Sequence, residues 1–132
     1  MKANTLERRS FSRPGLMQWP CKIALVPTCA PYFDGADLLI SADCAAYASE
    51  KFRELMKNRI TLIGCALSDK DAITEKLTAI IRENDVKSIT VTRLEVGCCA
   101  GIEPLVRKAA DASGKSLPIT VLTLSTNGKI IG

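Results

Sequence analysis

The sequence predicts an α/β domain: a mostly parallel sheet of about five strands in three layers, helices on both faces, and a short edge hairpin at the C-terminal end. Three observations predict it. Short runs of continuously apolar or β-branched residues recur, the mark of strands covered on both faces. Amphipathic patterns of about 10 to 15 residues separate most of them, as in βαβ units. Near the end stands Asn127-Gly128, a strong two-residue hairpin signal.

The elements follow in order. Residues 22–26 (KIALV) form the first strand, bounded by Pro20 and Pro27. Residues 37–41 (DLLIS) form the second. The pattern over 45–57 places Tyr47, Phe52, Leu55 and Met56 at helix-compatible spacing. Residues 60–63 (ITLI) are the third strand. In 73–84, Ile73, Leu77, Ile80 and Ile81 make one stripe, with Ser68 or Asp71 available as a cap. Residues 88–94 (SITVTRL) are the fourth strand. Over 102–112, Ile102, Leu105, Val106 and Ala109 share a face, Pro104 sits in the first turn where its missing N–H costs nothing, and Gly114 suits the C-terminal cap. Residues 119–124 (ITVLTL) complete the sheet. One link is short. Only PTCAPYFDGA joins the first two strands, whereas a parallel crossover needs about a dozen residues. The first strand therefore runs antiparallel or returns through an extended loop.

Length and composition bound the function. A chain of 132 residues, 47% hydrophobic, makes one core-forming domain, read as residues 17–132 behind a basic tail of residues 1–16. Lys2, Arg8, Arg9 and Arg13 against Glu7 place +3 of the net +4 in that tail. The rest of the chain nearly balances its charges, which is not a nucleic-acid-binding distribution. No apolar run has the length of a membrane span, and the basic start lacks the apolar stretch of a secretory signal. A cytoplasmic location is expected, with thiols kept reduced. The chain has no histidine, so no Ser-His or Cys-His nucleophile pair can form.

The six cysteines carry the chemistry. Cys44 follows the second strand, Cys65 the third, and Cys98 and Cys99 the fourth. In open parallel sheets sites form beyond the carboxyl ends of the strands. Three successive strands would thus deliver thiols to one edge, at helix starts that favour the thiolate. A buried cysteine is also an ordinary small hydrophobe, but the repetition points to ligands. Cys29 joins this edge only if the first strand is parallel. In that case Cys21, at its start, lies at the other edge and is a filler. Asp43, Arg93 and Glu95 are the polar groups nearest in sequence. Structural zinc sites use closely paired cysteines, often with histidine. Here the spacing is wide and the donors are all soft, which suits an iron–sulfur cluster, with zinc as the alternative.

MQWPCKIALVPTCAPYFDGADLLISADCAAYA, RITLIGC and KSITVTRLEVGCCAG resemble a family of bacterial and archaeal iron–sulfur-binding proteins, in which this domain follows a two-cluster ferredoxin module. The similarity runs from Met17 to the end. It implies a [4Fe–4S] cluster on Cys44 of ADC, Cys65 of GC, and Cys98 and Cys99 of CCAG. The chain departs from the family pattern where CALSDK replaces CPKLD and GCCAG replaces PCCGG, and Cys21 and Cys29 stand where the family has other residues. With no ferredoxin module in this sequence, the implied electron-transfer role calls for a separate ferredoxin or redox enzyme as partner. An enzyme of sulfur or small-molecule chemistry, using an open cluster iron or a reactive thiol, is the competing reading. A zinc-bound or metal-free interaction domain is the other.

Overall fold

The apolar and β-branched runs at Asp37–Ala42, Ile60–Gly64 and Ser88–Leu94 become strands buried along most of their length, while that at Ile119–Leu124 is only partly covered. The computed structural model describes residues 16–97 and 101–132. After a 3₁₀ turn at Pro31–Phe33 come β1 (Asp37–Ala42), α1 (Asp43–Ala48), α2 (Phe52–Met56), β2 (Ile60–Gly64), α3 (Lys70–Glu83), β3 (Ser88–Leu94), α4 (Ile102–Ser113) and β4 (Ile119–Leu124). The four strands are all parallel, in the order β2-β1-β3-β4.

The order fixes the layers. The step from β1 to β2 runs one way along the sheet, and the steps from β2 to β3 and β3 to β4 run the other. Right-handed crossovers then place α1 and α2 on one face and α3 and α4 on the opposite face. Register agrees. Leu38, Ile40, Leu62, Ile89 and Val91 share one face, because Leu38 pairs with Ile89 and Ile40 with both Leu62 and Val91. They join one buried cluster with Ile73, Leu77, Ile80 and Ile81 of α3 and Ile102, Val106 and Ala109 of α4. The direction of winding reverses between β1 and β3, and the crevice beyond their carboxyl ends is where such sheets bind ligands.

Two expectations are corrected. Residues 22–26 are not a fifth strand. Lys22 makes a single parallel bridge to Ile63, and the chain then turns, with the N–H groups of Leu25 and Val26 donating to the Lys22 carbonyl. It descends beside α3, where Lys76 holds the Ala24 carbonyl and Asn84 holds that of Thr28. The descent explains the short link to β1. No crossover is needed, because the chain reaches the amino edge outside the sheet. The helical pattern over 45–57 is likewise two helices, since Ser49 is extended at the end of α1. The C-terminal return is present: Leu124 bridges Ile130 antiparallel, and Ile131 and Gly132 pair with Thr123. Gly114 ends α4 in the left-handed conformation, at φ 79°.

Candidate thiol site at the carboxyl edge

Three loops leave the sheet at its carboxyl edge. β1 ends at Ala42, and Asp43 and Cys44 open α1 directly, leaving Cys44 exposed. β2 ends at Gly64, followed by half-buried Cys65. Beyond β3 the chain passes through Gly97 toward Cys98 and Cys99, which lie outside the described residues. At Gly101, an added Cβ would lie 3.4 Å from the Cβ of Ala66. Gly101 therefore lies against the residue that follows Cys65.

Cys65 is the described thiol whose surroundings favour ionisation. The Ser68 hydroxyl, then the N–H groups of Ser68 and Leu67, hold its thiol below the ordinary value. Its own N–H donates to Asp69 Oδ2 at 2.7 Å. That carboxylate does not cap α3, although Asp69 occupies the N-cap position. It also accepts from Lys22 Nζ at 3.0 Å, and the same ammonium donates to Asp43 Oδ2 at 2.9 Å. The other oxygen, Asp43 Oδ1, is buried and has no hydrogen-bond partner among the described residues. Asp43 in turn acts electrostatically on both Cys65 and Cys21.

Cys21 therefore sits at the carboxyl edge and not at the amino edge assigned to it by a parallel first strand. The bridge from Lys22 falls on the penultimate residue of β2, so this segment begins where β2 ends. Burial, above all, pushes the Cys21 thiol up and keeps it neutral. Cys29 is exposed and follows Thr28, whose carbonyl Asn84 holds at the far end of α3. It lies at the amino edge, away from Cys44 and Cys65. Arg93 and Glu95 serve the neighbouring strand: Arg93 Nε donates to Thr123 Oγ1, and Glu95 accepts from the Thr126 N–H. Lys22 and Asp69 were missed by the motif reading. Lys22 lay inside a run read as a strand, and only the acidic residue just before α3 could have pointed to Asp69.

Among the described residues, no three of the Cys, Asp and Glu side chains come together closely enough to hold one metal ion. The described thiols are dispersed over separate loops.

Residues 30–132 match the family model described as a Rossmann-like domain. The chain belongs to this family. A relative from Archaeoglobus fulgidus, described as an uncharacterized protein, is 36% identical over 99 residues, covering 74% of this chain and 70% of the relative. No solved structure gave a match. This Rossmann-like domain differs from the dinucleotide-binding kind at its first turn. A pyrophosphate needs glycines and free N–H groups there; Ala42-Asp43-Cys44 offers a carboxylate and a thiol instead. No helix among the described residues is long and apolar enough to cross a membrane. On the α1–α2 face, a cavity of about 600 Å³ lies beside Cys21, lined also by Phe52, Met56, Thr61 and Ile63.

The Asp69 contacts predict a pH dependence. Its carboxyl is held low, first by the Cys65 N–H and then by Lys22. A lowered carboxyl stabilises the fold fully above its unfolded value, about 4, and loses that contribution as pH falls through the lower folded value. Asp69→Asn should therefore be less stable than the wild type at pH 7, by about 1–3 kcal/mol for lost hydrogen bonds to a charged group. The gap should narrow below pH of about 4. Urea melts of both proteins across the acid range check this, and a gap independent of pH would contradict it.

Proposed function

We propose that the chain binds a [4Fe–4S] cluster at the carboxyl edge of its sheet, through Cys44, Cys65 and the Cys98-Cys99 pair, and acts in electron transfer. The observation that carries this reading is Cys65: a thiol favoured as thiolate by three hydrogen-bond donors, in a loop whose Ala66 lies against Gly101, the second residue after the vicinal cysteines. Thiolates are the ligands that iron–sulfur clusters require, and a cluster several ångströms across suits thiols dispersed over loops better than one ion does. Such a cluster supplies one-electron chemistry when bound. The chain's own part is to hold the sulfurs and tune them. The Ser68 hydroxyl and the N–H groups of Ser68 and Leu67 would stabilise charge on the Cys65 sulfur, and hydrogen bonds to ligating sulfur raise a cluster's potential.

The electron donor fitting this reading is a separate ferredoxin or redox enzyme, in a reducing cytoplasm. The test is an assay of iron and acid-labile sulfide on protein purified without oxygen. Brown protein is expected, with Cys44→Ser and Cys65→Ser each losing most of the iron and Cys29→Ser retaining it. Colourless wild-type protein holding zinc in equal proportion, or equal iron in all three variants, overturns the assignment.

A further inference from the structure

Residues 18–26 precede the part of the chain that matches the family, which begins at residue 30. They nonetheless reach into the site. Gln18, 2% exposed, pairs its amide with the backbone of Thr61 through both its oxygen and its nitrogen. The Cys21 carbonyl and the Ile23 N–H pair with Ile63. This strap is thereby fixed in register along β2, and the register brings Lys22 to the strand's carboxyl end.

Lys22 there joins two loops that leave adjacent parallel strands, whose pairing ends at Ala42 and Gly64. Asp43 belongs to the loop after β1 and stands next to Cys44; Asp69 belongs to the loop after β2 and binds the Cys65 N–H. With both carboxylates on one nitrogen, their Oδ2 atoms lie within about 6 Å of each other. Without a cation between them, two carboxylates at that separation repel.

We propose that Lys22 is a positioning residue for the thiol site, fastening the loop of Cys44 to the loop of Cys65 from a strap outside the family-matched domain. The inference rests on the reading of this edge as a cluster site, but its mechanical half does not. Lys22→Met removes the cation while keeping the aliphatic stem. Lys22→Arg keeps the cation and serves as the rescue. Lys76→Met is the control: it frees another contact of the same strap, at the Ala24 carbonyl, and touches neither carboxylate.

Two measurements on the full chain separate the claims. In metal-free reduced protein, amide hydrogen exchange in residues 42–46 and 64–69 should quicken about tenfold in Lys22→Met. It should return toward the wild-type rate in Lys22→Arg and stay unchanged in Lys76→Met. After reconstitution with ferrous iron and sulfide, Lys22→Met should retain less than about half the wild-type iron, with Lys22→Arg again recovering. Loops that exchange no faster in Lys22→Met overturn the proposal. So does full iron retention by Lys22→Met beside a wild type that binds iron. A wild type that takes up no iron removes the cluster reading instead, and the exchange rates then decide the role of Lys22 alone.

Discussion

Replacing Ile73 by alanine is expected to cost about 2–5 kcal/mol, toward the upper end of that range. Ile73 is fully buried on α3 and faces the last residue of β2. That residue is Gly64, where an added Cβ would lie 3.3 Å from Ile73 Cδ1 and 2.8 Å from Ile23 Cγ2. The isoleucines of α3 and of the strap therefore fill the space that a side chain at residue 64 would otherwise take. Truncating Ile73 opens a void above a glycine, and a glycine has nothing to move into it. The surrounding core cannot collapse cheaply, so the cavity term adds to the lost transfer energy. A melting-temperature drop of about 10 °C or more follows for a domain of this size. Ile73→Val, which keeps most of the contact, should cost about 1 kcal/mol. Urea denaturation of the three proteins checks the order. A loss below about 1 kcal/mol for Ile73→Ala would mean that the site relaxes and the packing argument is wrong.

Gly128→Ala is the second large effect. Gly128 has φ 91°, a backbone conformation that disfavours any side chain, and its added Cβ would overlap the Ala48 carbonyl oxygen and lie 3.0 Å from the Glu50 nitrogen. These neighbours are backbone, so they cannot swing aside. The return at 125–130 must lift away from the α1–α2 link, and the pair between Lys129 and Glu50 parts with it. We expect a loss of about 2 kcal/mol or more. Gly114 supplies the comparison. It also has positive φ, at 79°, but an added Cβ there meets nothing within 4 Å. Gly114→Ala should thus cost only about 1 kcal/mol, the conformational penalty alone. Equal losses at the two glycines would show that contact with α1–α2 does not make residue 128 a glycine.

The same contact explains where the sequence could be read and where it could not. Ser88–Leu94 and Ile119–Leu124 were legible to the residue, because continuous β-branched runs have few alternatives. The stripe of Ile73, Leu77, Ile80 and Ile81 placed α3, and Pro104 with Gly114 bracketed α4. The break between α1 and α2 left no local mark. No glycine or proline stands between Ala48 and Phe52; the break is occupied by Gly128 and Lys129, from the far end of the chain. The strap was misread for a related reason. KIALV has strand composition, but Lys22 spends its side chain on two carboxylates and its carbonyl on a turn. That Cys44 and Cys65 follow successive strands was legible. The site's charged framework of Lys22, Asp43 and Asp69 was not, since it is assembled from positions 21 and 47 residues apart.

The two ends of the described chain also do something for the sheet that its parallel core cannot do for itself. An outer strand offers unpaired N–H and C=O groups to any other chain that presents a strand. On β2, Gln18 occupies the outward groups of Thr61, and Cys21 with Ile23 occupies those of Ile63. On β4, Ile131 and Gly132 occupy those of Thr123. One border is thus closed by a segment before the sheet and the carboxyl end of the other by a segment after it. The chain acts as its own guard against edge-to-edge aggregation, and it does so at the carboxyl edge, where Cys44 is exposed.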